Sequence, residues 1–270
     1  MKQPNRRKSI FITGAASGMG RATACLFAEH GWFVGAYDLD RPGLDTLRDE
    51  IGTANGVFET LNVTDASAFS AAVDGFGGAT GGTLDLLFLN AGIGGGAGAF
   101  DEIAWDEIMK VINVNLFGVM HGARAGVRLL KATAGSLCLV NASSSAIFGT
   151  AGIATYSLTK HAVRGLVEAL SIEFKRFGVR AADLLPGLID TPLLGDVMRS
   201  MAPAEGPWRL VKPREIAETV MAAYESDRLH WYVPEELRQF HAEVVSDPEA
   251  VRESRVYLFP PAAAAVAAES

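Results

Sequence analysis

The sequence predicts an α/β protein with one parallel sheet covered on both faces, and three observations carry that prediction. Short β-rich runs alternate with helical stretches along the chain. The strands are almost continuously apolar, as in Leu84-Asp85-Leu86-Leu87-Phe88-Leu89, which is the pattern of strands buried on both sides. No linker and no internal repeat divides the chain, so residues 1–270 are read as a single domain.

The first strand is Ser9 to Thr13, followed by the turn Gly14-Ala15-Ala16-Ser17-Gly18-Met19-Gly20 and a helix to His30 that Gly31 closes. Phe33 to Tyr37 forms a second buried strand closing on Asp38, and Leu44, Leu47 and Ile51 recur at helical spacing. Val57 to Val63 is a strand, Ala66 to Phe76 a helix and Leu84 to Leu89 a strand. One helix is expected around Trp105 to Leu130, a strand at Leu137 to Val140, and a long helix from Thr155 to Phe177. Val179 to Leu185, a helix Arg214 to Tyr224, and a short strand Trp231 to Val233 complete seven strands and six major helices. The tail Pro260 to Ser270, with four alanines in a row, is expected to fray.

With 49% apolar and 20% charged residues the chain can bury a core, which excludes a disordered protein. The 24 Lys and Arg against 31 Asp and Glu give a net charge of -7, so no nucleic-acid partner is expected. The one basic cluster, Arg6, Arg7 and Lys8, reads as a solvated terminus. Cys25 and Cys138 read as small core residues in a reducing compartment. No apolar run reaches the ~18 residues of a membrane span, and no signal-peptide core opens the sequence. The expectation is a cytoplasmic protein without a membrane association. The five histidines, His30, His121, His161, His230 and His241, show no metal spacing, and no metal is expected.

A helix N-terminus offers unpaired N–H groups and a partial positive charge, and glycines let a pyrophosphate approach that backbone. Gly14, Gly18 and Gly20 supply this between a strand and a helix, and no Lys-Ser or Lys-Thr follows to make a triphosphate loop. Asp38 lies 18 residues after Gly20, near the ~20 expected of an acid that grips the adenosine ribose. Its carboxylate would repel a 2'-phosphate, and the turn holds no Lys or Arg. NAD is therefore expected rather than NADP, with Arg41 the nearby cation that a phosphate would recruit.

Tyr156 and Lys160 stand one helical turn apart, a spacing common on helix surfaces. A cation about 4 Å from the phenol contributes ~4 kcal/mol at an effective dielectric near 20, or ~3 pKa units, enough to bring a phenol towards neutrality. Such a phenol can exchange a proton with an alcohol.

In order and spacing, Thr13-Gly14-(three)-Gly18-Met19-Gly20, Asn90-Ala91-Gly92, Asn115 in Val114-Asn115-Leu116, Tyr156-(three)-Lys160 and Pro186-Gly187 resemble the short-chain dehydrogenase/reductase family. The resemblance covers residues 8 to 233. It implies a Rossmann-like, doubly wound seven-stranded sheet and hydride transfer between a nicotinamide and a secondary alcohol or ketone. Carried over, Tyr156 is the general acid/base, Lys160 binds the nicotinamide ribose and lowers the phenol's pKa, Ser143 bonds the substrate oxygen, and Asn115 holds a water linking Lys160 to solvent. The cofactor would further meet Ser17, Met19, Leu39, Asn62, Val63, Asn90, Ala91, Gly92, Pro186, Gly187, Ile189 and Thr191, the last at the carboxamide. A homodimer or homotetramer is the family expectation.

Three serines stand in a row at 143 to 145. The usual gap of 13 to the tyrosine selects Ser143; counting from Asn141 selects Ser144. Ser143 is preferred, because its oxygen must lie level with Tyr156. Asn62 replaces the usual Asp that accepts from the adenine amine, which its amide oxygen can still do less strongly. Leu89 replaces an Asn. The five-glycine stretch Gly92 to Gly98 is either a spacer or a loop that adapts to substrate.

Residues 191–212 correspond to the family's lid and include Leu193, Leu194, Val197, Met198, Met201, Trp208 and Leu210. They suit an apolar or aromatic substrate, or equally a lid packed on its own domain or on a partner. Two rival readings are a catalytically inactive NAD-binding regulator and a sugar-nucleotide epimerase or dehydratase of the extended relatives. The retained Ser143, Tyr156 and Lys160 speak against the first, and three rather than two residues in the first glycine gap against the second.

Overall fold

The computed structural model describes residues 6–256. Its elements run β1 (Ser9–Thr13), α1 (Gly18–Glu29), β2 (Phe33–Asp38), α2 (Arg41–Ile51), β3 (Gly56–Thr60), α3 (Ala66–Thr80), β4 (Leu86–Leu89), α4 (Trp105–Ile112), α5 (Gly118–Lys131) and β5 (Leu137–Asn141). There follow α6 (Ala154–Glu173), β6 (Arg180–Pro186), β7 (Leu188–Ile189), α7 (Asp196–Met201), β8 (Leu210–Val211), α8 (Pro213–Tyr224), β9 (His230–Val233), α9 (Leu237–Ser246) and α10 (Pro248–Glu253). The main sheet has the order β3-β2-β1-β4-β5-β6-β9 with every pairing parallel.

Strand periodicity divides the core in two. Ile10, Ile12, Leu86, Phe88, Leu137 and Leu139 join α1, α2 and α8 through Phe27, Leu44 and Ile216. Phe11, Leu87, Leu89, Cys138 and Val140 face the other way and meet α3, α5 and α6 through Phe69, Val119 and Val163. A strand whose successive side chains serve opposite cores must be apolar throughout. This is the expected doubly wound sheet.

The helix expected over Trp105 to Leu130 is two helices joined by a π-helical turn at Asn113–Phe117. The single extra residue in that turn swings Asn115 fully inside. The long helix stops at Glu173 and passes through a 3-10 turn, Lys175–Phe177, to Gly178. The two-stranded β7–β8 ladder and helices α7, α9 and α10 lie outside the expected element list. Of these, α9 and α10 extend the fold past Val233. Residues 260–270 of the expected frayed tail lie outside the described residues.

Two composition-based expectations need correction. Arg6 is no solvated terminus: both its Nη atoms donate at 2.6 Å to the buried Asp85 carboxylate. Arg7 donates to the Gly31 and Trp32 carbonyls, and Lys8 Nζ lies over the Trp32 and Tyr224 rings. Cys25 is half-buried rather than core, with its Sγ 3.3 Å from Glu50. No helix among the described residues is long and apolar enough to cross a membrane.

Candidate active site

The C-terminal ends of the central strands converge on the glycine turn. Gly14 and Gly18 have φ of +69° and +52°, a region that side chains other than glycine rarely adopt. A methyl group at Gly20 would lie 2.0 Å from the Gly14 carbonyl oxygen, so only glycine fits. Ser17 makes no side-chain cap on α1, whereas Asp40 and Asp65 cap α2 and α3. The first N–H groups of α1 thus stay open towards a bare backbone cradle, which fits the pyrophosphate of a dinucleotide.

Thr13 ties the turn to the end of β4. Its Oγ1 accepts from the N–H groups of Asn90 and Ala91, each at 3.0 Å, and Asn90 Nδ2 donates to the Thr13 and Gly14 carbonyls. Asn141 Nδ2 donates to Asn90 Oδ1 at 3.1 Å, next to Met19, while Asn141 Oδ1 is buried with no partner. Sequence spacing placed Thr13 in the glycine motif and Asn141 before the serines, but it did not give either residue these bonds. A methyl group at Gly18 would meet Thr191 at 3.0 Å, which brings the loop after Pro186, Gly187 and Ile189 onto the same turn.

Asp38 ends β2 and its carboxylate accepts from Ala16 N at 2.9 Å and Asp40 N at 3.1 Å. The acid therefore also holds the turn's own backbone. Leu39 beside it is exposed. Arg41 pairs with Asp45 at 2.8 Å. Asn62 Oδ1 accepts from both Thr64 N and Thr64 Oγ1 within its own turn. Val63 is buried.

Tyr156, Ser143 and Lys160 meet beyond β5. Ser143 is buried, accepts from Ser145 N at 3.1 Å, and exerts a downward pull on the pKa of the Tyr156 phenol. Ser144 begins the next 3-10 turn. Lys160 Nζ donates to the Asn141 carbonyl at 2.8 Å and lies 5.4 Å from the Tyr156 ring centroid. The expected lowering of the phenol's pKa is absent. Burial pushes Tyr156 up, against a pull downward from Ser143, and burial pushes Lys160 down to about 8. Both groups enter the same low-dielectric space, where desolvation disfavours each charged form.

Asn115 is buried and its side-chain amide pairs with the backbone of Ile93. Its Oδ1 accepts from Ile93 N at 2.8 Å and its Nδ2 donates to Ile93 O at 2.9 Å, pinning the glycine-rich loop. A methyl group at Gly92 would stand 3.3 Å from Asn115 Oδ1 and 3.7 Å from Lys160 Nζ. At its far end Gly98 N donates to Gly152 O, and Gly94 approaches Leu193 of the lid. Arg199 staples the lid to its root, pairing with Asp190 and donating to Thr191 O at 3.0 Å. Leu193, Met198 and Met201 remain exposed rather than packed on their own domain; Trp208 stacks edge-on to Phe240 of α9.

Residues 8–202 match the family model described as short chain dehydrogenase. The chain belongs to the short-chain dehydrogenase family. It is 32% identical over 223 residues to cyclohexanol dehydrogenase of Acinetobacter sp. (strain SE19), covering 82% of this chain and 88% of that one. It is 34% identical over 216 residues to cis-4-hydroxycyclohexanecarboxylate dehydrogenase of Sinomonas cyclohexanicum, covering 77% and 86%. Among solved structures, the 3-ketoacyl-(acyl-carrier-protein) reductase of Brucella melitensis, complexed with NADH, superimposes with a TM-score of 0.76 at 28% identity, covering 84% of this chain and 97% of that one. The short-chain dehydrogenase is accordingly an oxidoreductase with a nicotinamide-dinucleotide fold.

Proposed function

We propose that this short-chain dehydrogenase interconverts a secondary alcohol and a ketone with NAD, on a substrate whose body is apolar and alicyclic. The observation that carries the reading is the meeting of the Tyr156 phenol, the Ser143 hydroxyl and the Lys160 amine beside the glycine cradle. A bound nicotinamide would supply the hydride acceptor or donor for the carbinol carbon. Ser143 Oγ and Tyr156 Oη bond the substrate oxygen, and Tyr156 Oη takes its proton in oxidation or returns it in reduction. Because burial raises the phenol's pKa, its resting form is the acid, suited to protonating a ketone oxygen. Oxidation needs the phenolate and gains with rising pH.

Gly14, Ser17, Gly18, Met19 and Gly20 would hold the pyrophosphate; Asp38, Leu39, Asn62 and Val63 the adenosine; Asn90, Ala91, Gly92 and Lys160 the nicotinamide ribose; and Pro186, Gly187, Ile189 and Thr191 the nicotinamide. Asp38 at the end of β2 and the engagement of Arg41 with Asp45 support NAD over NADP. Exposed Leu193, Met198 and Met201 on the lid, and the names of the two cyclohexane-ring relatives, support the alicyclic body. Unpaired Cys25 and Cys138 fit a cytoplasmic setting, and exposed Leu158 and Ile172 on α6 fit a homodimer or homotetramer.

The test is NADH absorbance on mixing the protein with NAD and an alcohol panel. Turnover of cyclohexanol and a KM for NAD at least about tenfold below that for NADP are expected. Activity confined to small polyols, or a tenfold preference for NADP, contradicts the reading.

A further inference from the structure

The helix that carries Tyr156 and Lys160 continues the same stripe with Arg164 and Glu168, each four residues on, so the four side chains share one face. Lys160 and Arg164 grip the two ends of one short segment. Lys160 Nζ donates to the Asn141 carbonyl at 2.8 Å where the chain leaves β5. Arg164 Nη1 donates to the Ala146 carbonyl at 3.0 Å, at the end of the 3-10 turn. Ser143 lies between these two anchors. Within the turn Ser145 N bonds Ser143 Oγ, Ala146 N bonds Ser143 O and Ile147 N bonds Ser144 O, and Ser145 Oγ lies 3.3 Å from Thr150 Oγ1.

Arg164 is in turn fixed from two other directions. Its Nε donates to Glu168 Oε1 at 3.2 Å, and its Nη2 lies 3.3 Å from His241 Nε2. The other ring nitrogen, His241 Nδ1, lies 2.7 Å from Tyr232 Oη on β9. Arg164 donating to Nε2 requires the neutral imidazole that carries its proton on Nδ1, which then donates to Tyr232 Oη. The side chain is only 16% exposed. A planar guanidinium with three occupied directions has little freedom to drift.

We propose that Arg164 is a positioning residue, which through the Ala146 carbonyl sets the register of the Ser143 hydroxyl against Tyr156. It touches no reacting group itself. The inference rests on the reading of Ser143 as the residue that bonds the substrate oxygen, and a displacement of ~1 Å at such a group costs about a hundredfold in rate.

Two measurements test it. In Arg164→Met, amide hydrogen exchange over residues 143–148 should accelerate at least about fivefold while β1 and α1 keep their protection. For cyclohexanol oxidation with NAD, Arg164→Met should lower kcat about tenfold with NADH affinity unchanged, and should cause no further loss in a Ser143→Ala background. Should Met at this position prevent folding, Arg164→Lys keeps the charge, but its single nitrogen cannot reach the separate partners of Nε, Nη1 and Nη2, and the same two readouts apply. Unchanged exchange, or an equal fractional loss of kcat in both backgrounds, overturns the proposal. A Ser143→Ala protein with undiminished turnover overturns the reading of Ser143 and this inference with it. A crippled Ser143→Ala protein alongside unchanged exchange in Arg164→Met overturns the inference alone.

Discussion

Lys160 is the residue at which sequence spacing and tertiary environment diverge most. Four-residue spacing put the amine beside the phenol, and it is there. Spacing carries no information on dielectric, however, and burial decided the direction of both shifts. The lysine falls from 10.5 to about 8, so between those values the unfolded chain binds more protons than the folded one. Stability from this group therefore rises with pH across that window, and its cost is fully present below pH about 8. Cys25 and Cys138, pushed up to about 12, act oppositely above their ordinary value of 9.0. The informative quantity is thus the difference between wild type and Lys160→Met. Urea midpoints measured from pH 7 to 10 should show that the variant lacks the rising component. Parallel profiles would mean that the amine is as easily protonated in the fold as in solution. The preference for Ser143 over Ser144 rests on the chain length back from Tyr156. The engagement of Asn62 Oδ1 by Thr64 was not legible, because spacing does not show which local partner a side-chain amide takes.

At the scale of elements, the interruption of a predicted single helix by the π-helical turn at Asn113–Phe117 is the instructive difference. Apolar periodicity continues through such a turn, so hydrophobic pattern alone reads one helix. The turn's effect is to bring Asn115 to the Ile93 backbone, which it pairs on both N–H and C=O. Asn115→Ala would leave that peptide without its partners and should cost about 1–3 kcal/mol in urea unfolding. The accompanying rise in proteolysis should be confined to the Gly92–Gly98 loop. A variant as stable as wild type, with an unchanged loop, would show that the amide is idle. The strands were readable because each feeds two cores. Helices α9 and α10 and the β7–β8 ladder were not, being short and half-exposed, with periodicity too brief to stand out.

On the scale of the whole molecule, the two ends of the sheet have different tasks. The underside is closed by Arg6, whose paired donors meet a buried Asp85 that also accepts from Ser9 N and Tyr224 Oη. Net charge and composition gave no hint of this, because a basic run near a terminus has the same composition whether solvated or buried. Arg6→Met leaves a buried carboxylate short of its cation and should lower stability by about 3 kcal/mol, read from the urea midpoint. Turnover at 25 °C should be little changed, since the clasp lies at the opposite edge from the glycine turn. The upper edge assembles the chemistry: turn, β4 end, β5 end and lid root meet around Tyr156. The most direct measurement is the Tyr156→Phe protein, assayed for cyclohexanol oxidation with NAD and for NADH affinity by fluorescence titration. A loss of kcat of at least about a hundredfold with affinity within twofold is predicted for a residue that carries the proton. Retained turnover, or loss of cofactor binding in its place, would contradict the account.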